Sequence, residues 1–133
     1  LFVFLSFDKN KKQKNMFTET NIWIPSLSQE IVFRCGKNAA GNFTIIDMSK
    51  PDDIWFHVSG ETSAHVIASI PEEKKIDKKQ KLHIIKQGAV LCKNISKYKN
   101  TKNLEIIYCK VVDLEKTDTL GLVIVKNGKT ISI

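Results

Sequence analysis

The stretch that most constrains this chain is Asp52 to Val58, which reads Asp-Asp-Ile-Trp-Phe-His-Val. It is short, apolar and aromatic, and Lys50-Pro51 before it marks a turn. As a strand it divides by parity, because successive side chains point to opposite faces of a sheet. Ile54, Phe56 and Val58 then form a core face. Asp53, Trp55 and His57 form a row on the other face, about 7 Å apart at a rise of roughly 3.3 Å per residue. A carboxylate, an indole and an imidazole in one row can stack a flat ring and hydrogen-bond its edge. The same pattern also fits a second core, with Trp55 buried and Asp53 and His57 satisfying loop backbone groups.

Around that stretch the pattern reads mostly as strands. Residues 22–25 fit a short strand or a segment lying across the sheet, and residues 31–35 fit a strand. Gly36 to Asn42 reads as a polar loop and Phe43 to Asp47 as the next strand, so the two strands are expected to form a hairpin with a long tip. Ser63 to Ile70 alternates with period two, which predicts a strand antiparallel to 53–58 and brings His65 near His57 and Trp55. Asp77 with Gln80 three residues on is a capping box. It opens the surest helix, about 77–98, whose apolar stripe runs through Leu82, Ile85, Ala89 and Cys92. Leu104 to Leu114 predicts a long strand. Asn127-Gly128 between alternating runs at 122–125 and 130–133 predicts a closing hairpin. The expected fold is therefore α+β, a mainly antiparallel twisted sheet with one long helix packed on one face.

A length of 133 residues suits one core. The chain carries 21 basic and 14 acidic side chains, a net charge of +7, which favours a polyanionic partner. Four of those lysines and one acid fall in residues 1–15, leaving 17 basic against 13 acidic residues beyond them. The first Met is Met16, so residues 1–15 read as an upstream extension or a disordered arm and 16–133 as the single domain. Leu1 to Phe7 is far shorter than the roughly 20 residues a membrane span needs, and no membrane partner is expected. Cys35, Cys92 and Cys109 are odd in number and widely spaced, which argues against a disulfide framework and for reduced thiols in an intracellular protein. With only three histidines to add, no metal-ligand spacing arises, and no cofactor motif is present. Asp53 and His57 resemble a base and its orienter, yet no nucleophile is fixed beside them, so an enzyme is not expected.

Binding fits these residues better than catalysis. Asp53-Ile54-Trp55-Phe56-His57-Val58 followed by Ser63-Ala64-His65-Val66 resembles the NFACT-R domain. Its members carry an acidic-x-Trp-[Phe/Leu]-His motif with Ser-x-His-Val close behind. Gly36-Lys37-Asn38 with Asn42 resembles the family's Gly-[Arg/Lys]-Asn loop, and Ser96-Lys97 its Ser-Lys pair. Ala39, Gly41 and Phe43 stand where polar residues are usual, and Ser69 where an Arg often follows. The resemblance covers about residues 30–133 and is to the free-standing, single-domain form. It implies a cytoplasmic RNA-binding domain, with tRNA or ribosomal RNA as partner and a relation to ribosome-associated quality control. A DNA-binding module and a protein–protein adaptor are the competing classes. The implied nucleic-acid contacts are Lys37, Asn38, Asn42, Asp53, Trp55, His57, Ser63, His65, Ser96 and Lys97. In that scheme Trp55 stacks on a base or ribose, and Asp53 orients His57. His57 and His65 reach phosphate or base edges, and the lysines neutralise backbone charge.

Overall fold

The strand β3 (Ile54–Val58) sits inside a six-stranded antiparallel sheet in a computed structural model that describes residues 15–133. The expected arm at 1–15 lies, but for Asn15, outside the described residues. The sheet order is β1 (Phe17–Ile24), β2 (Gln29–Gly36), β4 (Val66–Ala68), β3, β5 (Glu105–Lys110) and β8 (Lys129–Ser132). Helix α1 (Ala39–Asp47) follows β2, and helix α2 (Lys78–Asn94) follows β4. A separate two-stranded ribbon pairs β6 (Leu114–Lys116) with β7 (Val123–Val125). The α+β class with one long helix on one face is the observed one.

The parity of β3 holds. Ile54, Phe56 and Val58 pack with Phe33, Val66, Ile84, Ala89 and Ile106 under α2. The capping box forms as expected: Gln80 N donates to Asp77 Oδ1 at 2.8 Å, and Asp77 N to Gln80 Oε1 at 3.1 Å. The helix ends at Asn94, a turn earlier than the lysine-rich pattern implies, because Ser96 Oγ donates to Lys93 O and accepts from Tyr98 N.

Three expectations fail. The first concerns Phe43 to Asp47, which is helical, so no hairpin joins it to β2. Asn38 caps α1 by accepting from Gly41 N at 2.8 Å, and Ala39-Ala40 favour helix once that cap is made. The second concerns the closing hairpin. Asn127 turns the chain at φ 53°, but β7 pairs with β6 and β8 pairs with β5, so the flanking strands enter different sheets. The third is the long strand from Leu104, which breaks at a 3-10 turn over Val111–Asp113 and thereby feeds the ribbon. Residues 17–24 also form a longer strand than the sequence showed.

These departures share a consequence. The sheet face opposite α2 is covered by α1 and the ribbon, and Phe17, Ile45, Trp55, Ile67, Cys109 and Val111 form a second core there. The domain is thus three layers deep, with β3 buried on both sides.

The approach of α2 to β3 runs through Gly88. A Cβ there would lie 2.2 Å from Phe56 Cζ, and that ring is wholly buried. Gly88→Ala should lower stability by about 1–3 kcal/mol through overpacking, despite alanine's better helix propensity. Denaturant titration of the two proteins measures this, and an equal or higher midpoint for the variant would disprove the tight contact.

Candidate nucleic-acid interface

Three segments meet at the end of β3 where Val58 leaves the sheet. They are the β2–α1 junction, the 57–65 connection and the loop that joins β6 to β7. Between them lies a cleft of about 540 Å³. Of the sequence-predicted residues, Lys37, Asn38, Asn42, His57, Ser63 and His65 line it. Leu120, Gly121 and Leu122 complete its rim and were not anticipated. No sequence motif marks them; the nearest signal is two exposed leucines, more than half accessible, flanking a glycine at φ 81°.

The junction is held by the side chain of Asn42. Its Oδ1 accepts from His65 N at 3.1 Å, while His65 O accepts from Gly36 N at 3.0 Å. Gly36 is required for this approach, since a Cβ there would sit 2.1 Å from Asn42 Oδ1. Asn38 is committed to capping α1. Ser63 Oγ accepts from Val58 N at 3.0 Å, closing the turn after β3. These three polar residues build the cleft wall with their side chains rather than offering them to a ligand. The first amides of α1 point out of a helix N-terminus, where partial positive charge accumulates.

Trp55, His57 and His65 cluster as the sequence predicted, with ring centroids 5.2–5.5 Å apart. Trp55 and His57 stack at an interplanar angle of 9°, and His65 stands edge-on to both. Their exposure differs from the expectation. Trp55 and His65 are each only 2% exposed, and His57 is half-buried. Trp55 is therefore no open stacking platform; it fills the second core and backs His57. Asp53 is also misassigned. It is buried beside its own turn, and its carboxylate accepts from Lys50 N at 2.8 Å and Ile70 N at 2.9 Å. It lies two residues from Trp55 toward the opposite end of β3 and does not orient His57. That task falls to the backbone: His57 Nδ1 bonds Val58 O at 2.6 Å. A carbonyl can only accept, so the proton sits on Nδ1 and Nε2 carries the lone pair.

Charge in the cleft is nearly balanced. Lys37 and Glu61 are the charged side chains lining it. Burial pushes the His57 pKa down, against smaller upward effects of the Val58 and Ser63 carbonyls. Burial, and next His57 itself, bring His65 down to about 3, opposed by the Gly121 carbonyl. Lowered pKa values keep both imidazoles neutral at pH 7, so of the expected phosphate or base-edge contacts they suit the base edge better. Ser96 and Lys97 do not line the cleft. They stand behind it: Tyr98 Oη donates to Glu61 Oε2 at 2.7 Å, and Lys97 Nζ lies 5.4 Å from the Tyr98 ring centre.

Two predictions follow from this burial. Trp55→Ala should cost about 3–5 kcal/mol of folding stability, as for other large aromatic truncations in a core. A melting temperature within a degree of wild type would return Trp55 to the surface. His65, whose folded pKa is about 3 against 6.5, resists a proton that the unfolded chain accepts. Its contribution is present in full above pH 6.5 and is lost as pH falls toward 3, with a slope of at most about 1.4 kcal/mol per pH unit. His65→Phe should remove that part of the slope in pH-dependent unfolding; identical slopes for the two proteins would refute the buried neutral ring.

Comparison with known proteins bears on the family and the fold. A model of the NFACT protein RNA binding domain matches residues 14–130. Coiled-coil domain-containing protein 25 of Danio rerio is 33% identical over 87 residues, which cover 65% of this chain and 42% of that protein. The C-terminal part of the fibronectin/fibrinogen-binding protein from Streptococcus suis superposes with a TM-score of 0.71 at 19% identity, over 86% of this chain and 44% of that one. The chain thus spans less than half the length of either, and the second likeness speaks for the fold alone. The motif order, the sheet that displays it and the match across residues 14–130 place this chain in the NFACT RNA-binding domain family.

Proposed function

We propose that the cleft binds an unpaired nucleotide of RNA, in tRNA or in ribosome-associated RNA. The observation that carries this reading is that Lys37, Asn38, Asn42, His57, Ser63 and His65 come from separate segments and line one cavity. Membership of an RNA-binding family supports it. The near-neutral lining favours a base and ribose over a phosphate. The face of His57 not stacked on Trp55 receives the base, and Leu120 and Leu122 close over it. His57 Nε2, as an acceptor, receives a hydrogen bond from the 2′-hydroxyl, which distinguishes RNA from DNA. Lys37 and the first amides of α1 reach the adjoining phosphate.

The apolar rim favours one second reading. Leu120, Leu122 and Ile124 are each more than half exposed on the ribbon, as a protein-docking adaptor would have them. Salt separates the two readings, because phosphate contacts make log K fall with log salt by about 0.7 per contact on a single strand.

Fluorescence anisotropy with a single-stranded RNA provides the test. His57→Ala should weaken binding about tenfold or more, the range of one base–ring stack, at about 1–3 kcal/mol. Lys37→Gln should reduce the salt slope by about 0.7. Unaltered affinity in His57→Ala, with the variant folded, would dismiss the nucleotide pocket.

A further inference from the structure

A second cleft, about 450 Å³, opens at the opposite end of β3. Lys50, Lys74, Lys81 and Lys110 line it, with Asp52 and Glu72. These lysines come from the turn before β3, the segment ahead of α2, the first turn of α2 and the last residue of β5. Lys129 on β8 is close enough to repel Lys81 as well. Some of this charge is already matched. Lys50 Nζ lies 3.6 Å from Asp53 Oδ1, and Lys110 Nζ lies 3.5 Å from the exposed Asp52 Oδ1. Lys74 Nζ donates to the Leu27 carbonyl, which carries no charge to answer it. Among the described residues, Lys74, Lys81 and Lys129 have no carboxylate at ion-pair distance.

Gathering like charges at a concave surface raises the local positive potential and costs stability in the free protein. Lys81 registers that cost: burial first, then Lys110 and Lys129, lower its pKa, and Asp52 only partly restores it. An oxyanion seated among these ammonium groups would relieve the repulsion. The first cleft, by contrast, has a single lysine opposed by a glutamate. From Asp52 to His57 the chain advances about 17 Å at strand rise, so one extended nucleic-acid strand can reach both places.

We infer that the cleft lined by Lys50, Lys74, Lys81 and Lys110 is a phosphate-binding site, which holds the backbone of the strand whose unpaired nucleotide enters the first cleft. The inference rests on the RNA reading above for the source of that phosphate, and on the lysine cluster itself for its chemistry.

The test compares wild type with Lys74→Gln/Lys81→Gln, and with Lys99→Gln/Lys102→Gln as a control for overall charge. Three probes are titrated: a single-stranded RNA long enough to cross both clefts, a dinucleotide, and inorganic phosphate followed by the Lys81 ammonium NMR signal. The expected result is about tenfold weaker binding of the long RNA, with a salt slope shallower by about 1.4 for two lost contacts. Dinucleotide affinity and the control variant should be unchanged, and the melting temperature should change little, since relief of repulsion at Lys81 offsets the lost Lys74–Leu27 hydrogen bond. Retained long-RNA affinity together with a phosphate-induced shift at Lys81 would support the site with a free phosphate compound as its source. Loss of long-RNA affinity in the lysine variant, with His57→Ala without effect, would sink the nucleotide pocket and leave this site standing. If neither the salt slope nor the Lys81 signal responds, the site is overturned.

Discussion

The hydrogen bond from His65 N to Asn42 Oδ1 is the contact on which the site depends. It ties the first turns of α1 to the start of β4, and Gly36 exists at its position to let the amide come close. With α1 held there, its underside can cover the sheet face that carries Trp55. Covering that face turns the outward row of β3 into a second core and leaves His57, at the end of the row, as its accessible ring. The same placement seats Ala39 against the loop after β6, where a Cβ on Gly121 would approach Ala39 Cα to 2.9 Å. One side-chain amide therefore sets the cleft's floor, one wall and the seat of its rim.

Burial then decides the electrostatics. Placing two imidazoles beside an indole and away from water disfavours their charged forms, and His57 lowers His65 further. A neutral His57 with its Nδ1 proton fixed on a backbone carbonyl offers a flat face and one acceptor. Such a group discriminates among hydrogen-bond donors and stacks on rings, but contributes no net attraction to a polyanion. The cysteines follow the same logic: burial pushes Cys92 and Cys109 up to about 12, so these thiols are inert packing groups rather than nucleophiles.

Much of this was legible in the residues, and the failures have physical causes. Period two in β3 and β4 gave the correct faces and an antiparallel pairing, Trp55 opposite Ile67, which sets His57 beside His65. The capping box located α2 because its two hydrogen bonds are local. What parity cannot express is whether a face is covered, since the cover comes from segments distant in sequence. Ile45 of α1 shares the buried cluster of Trp55, and Val123 of β7 packs against that cluster. The helix α1 was missed because Phe43-Thr44-Ile45 alternates like a strand and Gly41 weakens the helical pattern; the overlooked signal was Asn38 as a cap. The Asn127-Gly128 turn was real, but a turn fixes only the chain's reversal. Partner choice went to whichever edges were free, that of β5 for β8 and that of β6 for β7.

On the proposed reading, the two ends of β3 divide what nucleic-acid recognition needs. Sequence-independent attraction comes from cations near phosphates, and selectivity comes from uncharged contacts to base and sugar. Combining both in one small cleft would set ammonium groups against the low-dielectric ring cluster and raise the desolvation cost of each. In this fold the rings lie where β3 enters the 57–65 connection, and the lysines where it leaves the Lys50–Asp53 turn. Asp53 stands between them as a structural carboxylate: it fixes the turn through Lys50 N and Ile70 N and pairs with Lys50 Nζ. The acidic residue at the head of the Trp/His motif thus shapes the cationic end of the strand, while the aromatic residues behind it shape the neutral one.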